Sequence, residues 1–298
     1  HSLHYCWMIL NTADNIKVGY EQADKVYVGN NLVYTKSLLG EFPGAALAFS
    51  LRQLTNQNLN VVRVKRSSDK AESDFKASDL TDGTVETYVG SGNDGYVAKW
   101  YDQSGNGNHA IARDPSIPAG STNPDNTYLD FKIVSSGSYL GHVEVSTALG
   151  IKLTNPANST PPLSIFGVNS GGKYIVTSFP YGNYLTAAGN GGSKFELVNP
   201  RYLTSTVTSD ANVKVNVYAS NGLTADSKIY SSQSSASALT LMASGSASFG
   251  SNFDSMDTIF GDSINGYTGK AFELIVYQSN QAFNITNIAK NQRQHYSI

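Results

Sequence analysis

Cysteine is all but missing: Cys6 is the single thiol in 298 residues. One thiol excludes an internal disulfide framework and cannot by itself build a metal centre. Charge is scarce as well. Asp, Glu, Lys and Arg make up 15% of the chain and the formal net charge is −2, so there is no electrostatic footprint for nucleic acid. The basic triplet Arg63, Lys65 and Arg66 lies on an alternating segment that turns Arg63 and Lys65 outward, and it reads as a solvated strand face. The histidines at 1, 4, 109, 142 and 295 show no metal-ligand spacing. Long apolar runs are absent. The opening HSLHYCWMIL is too short to span a bilayer and has neither a basic start nor a small-residue cleavage site, so neither membrane insertion nor a signal peptide is expected. Met8 followed by ILNTADNIKVG reads as a natural start, with residues 1–7 as an upstream extension.

What the chain does have is enough apolar content, 40%, to fill a sizeable core, which excludes wholesale disorder. Its most informative stretch is KWYDQSGNGNHA, residues 99–110. Val97, Lys99 and Tyr101 alternate with Ala98, Trp100 and Asp102, the period of an extended strand. Gly105 and Gly107 then flank Asn106, residues that tolerate positive φ, so the chain can reverse sharply. Asp102 and Ser104 carry short oxygens suited to the exposed amides of such a turn. Trp100, Tyr101, Asp102, Gln103, Ser104, Gly105, Asn106, Gly107 and Asn108 therefore read as a structural corner pinning a strand, with a catalytic or sugar-binding loop as the alternative.

The string WYDQSGNGNHA resembles a motif in the catalytic domain of fungal-type arabinofuranosidase B. It is still more similar to the laminin-G-like, concanavalin-A-like domains of many bacteriophage structural proteins. GAALAFSLRQL (44–54), VVRVKRSSDKAESDF (61–75) and the ending GYTGKAFELIVYQSNQAFNITNIAKNQRQHYSI (266–298) fit the phage version. DKVYVGNNLVYTKS (24–37) is similar to a leader near the start of phage tail and head accessory proteins. The resemblance spans roughly 24–110 and 266–298. It implies a virion protein, assembled in the host cytoplasm and displayed on the particle, with other virion proteins as partners and a homo-oligomeric state, a trimer being the expectation.

The elements follow from periodicity and turn signals. Residues 24–37 read as a small hairpin turning at Gly29-Asn30-Asn31; residues 1–37 are assigned to an N-terminal hairpin or anchor segment and 38–298 to the sandwich domain. Leu38 to Glu41 read as a linker. Leu47, Leu51 and Leu54 share one helical stripe, which predicts a short helix near 43–56. Val62 and Val64 face inward on the next strand. Residues 112–127, with Pro115, Pro118 and Pro124, are a loop by composition. From about 128 on, YLDFKIV, LSIFGV, KYIVTSF, KFELV, VKVNVYA, ALTLMA, DTIFG and AFELIVY recur between Ser-Gly, Asn-Gly and Gly-Gly signals. That rhythm predicts an all-β, two-layer antiparallel sandwich of jelly-roll, concanavalin-A-like type. The period then changes, and Ile285, Ile288, Ala289, Gln292 and Tyr296 predict a C-terminal helix near 281–294, with Asn280 as its cap.

For chemistry, retaining glycoside hydrolysis needs two carboxyl groups close together, one of them protonated near neutral pH. Glu196 and Glu273 sit in predicted strands, where each can point into a groove or to solvent. The arabinofuranosidase relatives carry a cysteine-rich catalytic region without counterpart here, so no catalytic residue is assigned. Asp69, Glu72, Asp74, Asp79 and Asp82 crowd a polar loop whose oxygens suit a hard cation such as Ca²⁺. They lack EF-hand spacing, however, and read first as a solvated loop; no other cofactor and no metal site is expected. Tyr181, Asn183 and Tyr184, in SFPYGNYLTAAGNGG, are candidate contacts for a host glycan from a loop between strands. The reading is a non-enzymatic structural protein on the surface of a tailed phage, a head decoration or tail accessory subunit. An adhesin for host polysaccharide is the alternative, and an arabinofuranosidase-like hydrolase a more distant one.

Overall fold

The computed structural model describes residues 17–18, 21–22, 25–28, 30–111, 131–148, 150–158, 162–171, 174–178, 183–186, 194–198, 203–208, 212–220, 227–232, 239–245, 255–261 and 267–298. Two hairpins come first, β1 (Lys17–Val18) with β2 (Glu21–Gln22), and β3 (Lys25–Val28) with β4 (Asn31–Thr35). Helix α1 (Leu38–Glu41) leads to β5 (Ala45–Ser50), β6 (Asn60–Arg66) and β7 (Glu72–Lys76). Helices α2 (Ala77–Thr81) and α3 (Thr84–Val89) precede β8 (Gly95–Trp100) and β9 (Ala110–Ile111). Strands β10 (Phe131–Ser135), β11 (Ser138–Ala148), β12 (Ile151–Asn158), β13 (Leu163–Gly171), β14 (Tyr174–Ser178), β15 (Asn183–Thr186), β16 (Lys194–Val198) and β17 (Leu203–Thr208) follow. The chain ends with β18 (Lys214–Ser220), β19 (Ser227–Ser231), β20 (Thr240–Gly245), β21 (Ser255–Ile259), β22 (Tyr267–Tyr277) and α4 (Ile285–Tyr296). Among the described residues every strand pairing is antiparallel, as expected for a sandwich.

The order β18–β13–β22–β5 forms the central sheet. Its residues alternate between two cores. Leu47, Phe49, Ile165, Tyr218, Leu274 and Val276 join the larger core, shared with β6, β8, β10, β11, β12 and β21. Ala48, Phe166, Val168, Val215, Val217, Ile275 and Tyr277 face the other way, onto Leu38, Phe42, Ile285, Ile288 and Ala289 of the α1 region and α4. The sandwich thus carries a third layer at this place, the C-terminal helix, so the central sheet is buried on both faces.

That double burial corrects the helix expected near 43–56. Residues 45–50 are strand β5, paired with β22, and the helix lies earlier, at Leu38–Glu41, where Ser37 Oγ accepts from Gly40 N–H at 3.1 Å. A strand covered on both faces shows an unbroken apolar run, AALAF, whose period cannot distinguish strand from helix. The polar loop expected over 69–82 is likewise replaced, by β7 and α2, because buried Phe75 and Leu80 anchor them. The C-terminal helix is present, but its first residue is Ile285, after Asn284; Asn280 Oδ1 instead accepts from Ala282 N–H in the preceding turn. Residues 1–7 and 112–127 lie outside the described residues.

Gly95 shows how closely α3 approaches the sheet. A Cβ there would lie 2.8 Å from Val89 Cγ2 and 3.1 Å from Val134 and Val64 side-chain atoms. Gly95→Ala is expected to destabilise by about 1–3 kcal/mol, the usual cost of overpacking a dense core. Thermal unfolding checks this, and an unchanged Tm would show that α3 yields freely.

Candidate functional site

The corner after β8 is built against β5. Trp100 is fully buried, stacked on Phe260 with centroids 5.9 Å apart and tilted against Phe49. Its Nε1–H has no hydrogen-bond partner among the described residues. Beyond it the chain turns through Gly105 (φ +90°) and Gly107 (φ +71°), left-handed conformations that glycine adopts without strain.

Asp102 organises this turn. Its Oδ1 accepts from Ala48 N–H at 2.9 Å and Ser104 N–H at 3.0 Å, and its Oδ2 accepts from Ser104 Oγ–H at 2.7 Å and Asn108 N–H at 3.1 Å. A carboxylate offers about four acceptor sites, so this one is fully used. Gln103, 2% exposed, donates its backbone N–H to Ala48 O; its Nε2 donates to Ser50 O and Arg52 O, and its Oε1 accepts from Leu54 N–H at 2.8 Å. Asn106 Nδ2 donates to Ala45 O and Ala46 O. The corner therefore substitutes side-chain and backbone groups for a neighbouring strand along the free edge of β5. The side chains of Asp102 and Gln103 and the Asn106 amide nitrogen are spent on the fold.

Tyr101 points to the opposite face. Its hydroxyl donates to Asp74 Oδ1 at 2.8 Å, and Asp74 also binds Arg63 through bonds of 2.7 and 2.9 Å. Burial and the Asp74 bond push the Tyr101 phenol up to about 12. Lys65–Glu72 and Arg66–Asp69 extend the same row of ion pairs. Three of the carboxylates considered for Ca²⁺ are thus paired with cations. Asp79 accepts from Lys76 N–H at 2.9 Å and Asp82 from Thr84 N–H at 2.9 Å, each at a helix start. Among the described residues no group of three or more His, Cys, Asp or Glu side chains is placed to hold a metal ion.

Glu273 is fully buried on the face of the central sheet beneath α4. Arg52 clamps it with two bonds, Nε to Oε2 at 2.7 Å and Nη2 to Oε1 at 3.0 Å. Ser50 Oγ and the Tyr296 hydroxyl add bonds to Oε2, and Gln292 Nε2 donates to Oε1 at 3.0 Å. Burial alone would raise this carboxyl. The Arg52 charge and the donated hydrogen bonds outweigh it and hold the group below the usual carboxylate range. The Arg52–Glu273 pair escapes sequence reading because no local signal links positions 221 residues apart, and the helical spacing that marks Gln292 and Tyr296 does not identify Glu273 as their partner. Glu196 lies in β16, with its side chain outside the described residues.

Two further features are a buried polar row and a surface groove. Asn216 Nδ2 donates to Asn169 Oδ1 at 2.9 Å and Ser231 Oγ donates to Asn216 Oδ1 at 2.8 Å, a buried polar row across β13, β18 and β19. On the outside, a groove of about 260 Å³ opens between α1, the 55–59 turn and the corner, with Leu39, Pro43, Ala45 and Leu59 in its walls. The glycan candidates are placed differently from expectation. Asn183 and Tyr184 belong to β15, paired with Ser178 and Thr177, rather than to a loop. Tyr181 and the side chains of Asn183 and Tyr184 lie outside the described residues.

No protein-family model and no curated protein matches the chain. Solved structures do. A mutant GH54 α-l-arabinofuranosidase soaked with 4-nitrophenyl α-l-arabinofuranoside is 16% identical, with a TM-score of 0.58. A GH54 α-l-arabinofuranosidase soaked with a cyclic sulfate inhibitor and an arabinofuranosidase complexed with arabinofuranosyl-α-1,2-xylobiose are each 18% identical, with TM-scores of 0.56 and 0.55. Each alignment covers 83% of this chain and 62% of the other, so the chain spans less than two thirds of those enzymes. The likeness is one of fold. These neighbours are glycoside hydrolases rather than phage or laminin-G proteins.

Proposed function

We propose that this chain is a non-catalytic surface subunit of a tailed bacteriophage particle, a head decoration or tail accessory protein built on an arabinofuranosidase-type sandwich. One observation carries the non-catalytic part: among the described residues, the two buried carboxylates, at the corner and in the central sheet, are consumed by the fold. Asp102 accepts four hydrogen bonds, and Glu273 is clamped by Arg52 and kept ionised. A retaining glycosidase needs one carboxyl held protonated and another free to attack. Neither group offers this. The particle setting rests on the resemblance of segments 24–37, 44–54, 61–75, 100–110 and 266–298 to phage structural proteins.

The test is hydrolysis of 4-nitrophenyl α-l-arabinofuranoside by the purified chain. No turnover above buffer is expected, and turnover abolished by Glu196→Gln or by Glu273→Gln would overturn the reading. Mass spectrometry of the intact particle supplies the second arm: peptides of this chain at a fixed ratio to the major head protein are expected, and their absence would remove the particle setting.

A second reading, an adhesin for host polysaccharide, is supported by the sandwich fold shared with the arabinofuranosidases and by the candidate contacts Tyr181, Asn183 and Tyr184. Saturable, competable binding on a glycan array, lost on Tyr184→Ala in a variant that still folds, would favour it over the purely structural role.

A further inference from the structure

The strand register sets up a line of residues that no single segment reveals. Asp74, Arg63, Lys99, Ile111 and Lys152 stand directly opposite one another on β7, β6, β8, β9 and β12. The register continues through Thr258 and Thr177 to Tyr184, eight strands in all. Directly paired residues share one face of a sheet. Val62, Trp100, Ala110, Ile151 and Ile259, each a chain neighbour of one of them, enter the larger core. The line therefore lies on the face turned away from that core.

Charge along this line is not balanced. Arg63 is spent on Asp74, through bonds of 2.7 and 2.9 Å. Lys99 follows directly opposite Arg63, a placement that like charges make unfavourable. Its ammonium lies 5.3 Å from the centre of the Tyr101 ring. Among the described residues, neither Lys99 nor Lys152 forms an ion pair. His109, two residues before Ile111, accepts from Asp102 N–H through Nδ1 at 3.2 Å, so Nε2 carries its proton. Three donors thus flank the half-buried Ile111. The neighbouring line on the same face behaves differently. There Glu72, Lys65, Tyr96, Lys132 and Glu144 stand opposite one another, Lys65 meets Glu72 at 3.5 Å, and Lys132 meets Asp94 at 2.8 Å. One line is neutralised in place, and the other leaves two lysines without an anion.

We propose that this strip binds an acidic polysaccharide, its carboxylates held by Lys99 and Lys152 and its sugar rings laid over Ile111 along the line that leads to Tyr184. Strands lie about 4.8 Å apart, so the two lysines are about 10 Å apart at the backbone and the whole line runs over about 30 Å. That shape suits an extended polymer rather than a small molecule. Ammonium-to-carboxylate bonds are of the stronger, charge-assisted kind. Nucleic acid, with a charge about every 1.7 Å of duplex, would require more free cations than this strip holds. The inference rests on the polysaccharide-adhesin reading and names the class of glycan.

Affinity electrophoresis of the full chain tests it, in gels containing polygalacturonate, neutral arabinan or single-stranded DNA, each read against a blank gel. Thermal melts confirm that each variant folds. Retardation by polygalacturonate is expected, weakening as salt is added. Lys99→Gln and Lys152→Gln are each expected to weaken binding roughly threefold and together roughly tenfold, the scale of exposed ion pairs. Lys65→Gln, in the neutralised line, is expected to leave it unchanged. An unretarded wild type would overturn the proposal. So would retardation that survives the double substitution, or equal retardation by DNA. The glycan array separates the two possible failures: neutral glycans bound without acidic ones would sink this inference alone, and an array with no glycan bound would sink the adhesin reading with it.

Discussion

Asp102→Ala is expected to lower the stability of this domain by about 3–5 kcal/mol, since hydrogen bonds to a charged acceptor contribute roughly 1.5–3 kcal/mol each and an orphaned buried donor costs about as much. Ala48 N–H, buried in the central sheet, loses its acceptor outright, while Ser104 N–H, Ser104 Oγ–H and Asn108 N–H lose theirs in the turn. Set against a typical total of about 5–15 kcal/mol, that is a large share. Asp102→Asn is the sharper control. It keeps the side-chain volume and one acceptor oxygen, but it presents an amide N–H₂ to donors that the second oxygen now receives, so an intermediate loss is expected. Urea denaturation reads both variants as a lower midpoint at unchanged slope. A loss below about 1 kcal/mol for Asp102→Ala would show that water replaces the carboxylate and that the corner does not hold β5.

The second large effect is expected at the Arg52–Glu273 pair. Arg52→Ala strands a carboxylate that is fully buried beneath α4. Breaking a buried pair from one side costs about 3–5 kcal/mol, whereas replacing both partners by apolar groups is often close to neutral. Arg52→Met combined with Glu273→Leu is therefore expected to be more stable than the sum of the single losses implies, and additive losses would count against a coupled pair.

The pH dependence has a definite sign. The folded-state value of Glu273 lies below its unfolded one. Its contribution is fully present above the unfolded carboxylate value, about 4.3, and is lost as pH falls through the folded value. Asp69, Asp74 and Asp94 are also held low, the first two chiefly by hydrogen bonds from Arg63 or Arg66, and Asp94 against its burial by Lys132 and Ser136. The difference between wild type and Glu273→Gln thus isolates one group. Urea midpoints between pH 5 and pH 2 are expected to fall more steeply in the wild type, and parallel curves would remove Glu273 from the acid transition.

Both sites show what a linear reading can reach. The bonds inside the corner, from the oxygens of Asp102 and Ser104 to amides a few residues on, were legible because spacing and residue type fix them locally. The bonds from the same residues to β5 were not. Ala48 lies 54 positions from Asp102, and its segment has an apolar pattern that suits helix and strand equally. Glu273 was legible as a strand carboxylate but not as one half of an ion pair, since either face of the strand was open to it.

By itself the sequence determined the class of fold and most of its strands. Short alternating segments punctuated by glycine, serine and asparagine have few other stable solutions, and LSIFGV, VKVNVYA and AFELIVY became the adjacent strands β13, β18 and β22 of one sheet. Tertiary structure alone decided that α4 would cover that sheet's outer face, that residues 45–50 would extend rather than coil, and that the acids would be neutralised in place. The reason is that periodicity records which side of a segment avoids water, but not which partner does the covering. That partner lies dozens to hundreds of residues away, and it determines whether a buried carboxylate is a reactive group or one end of an ion pair.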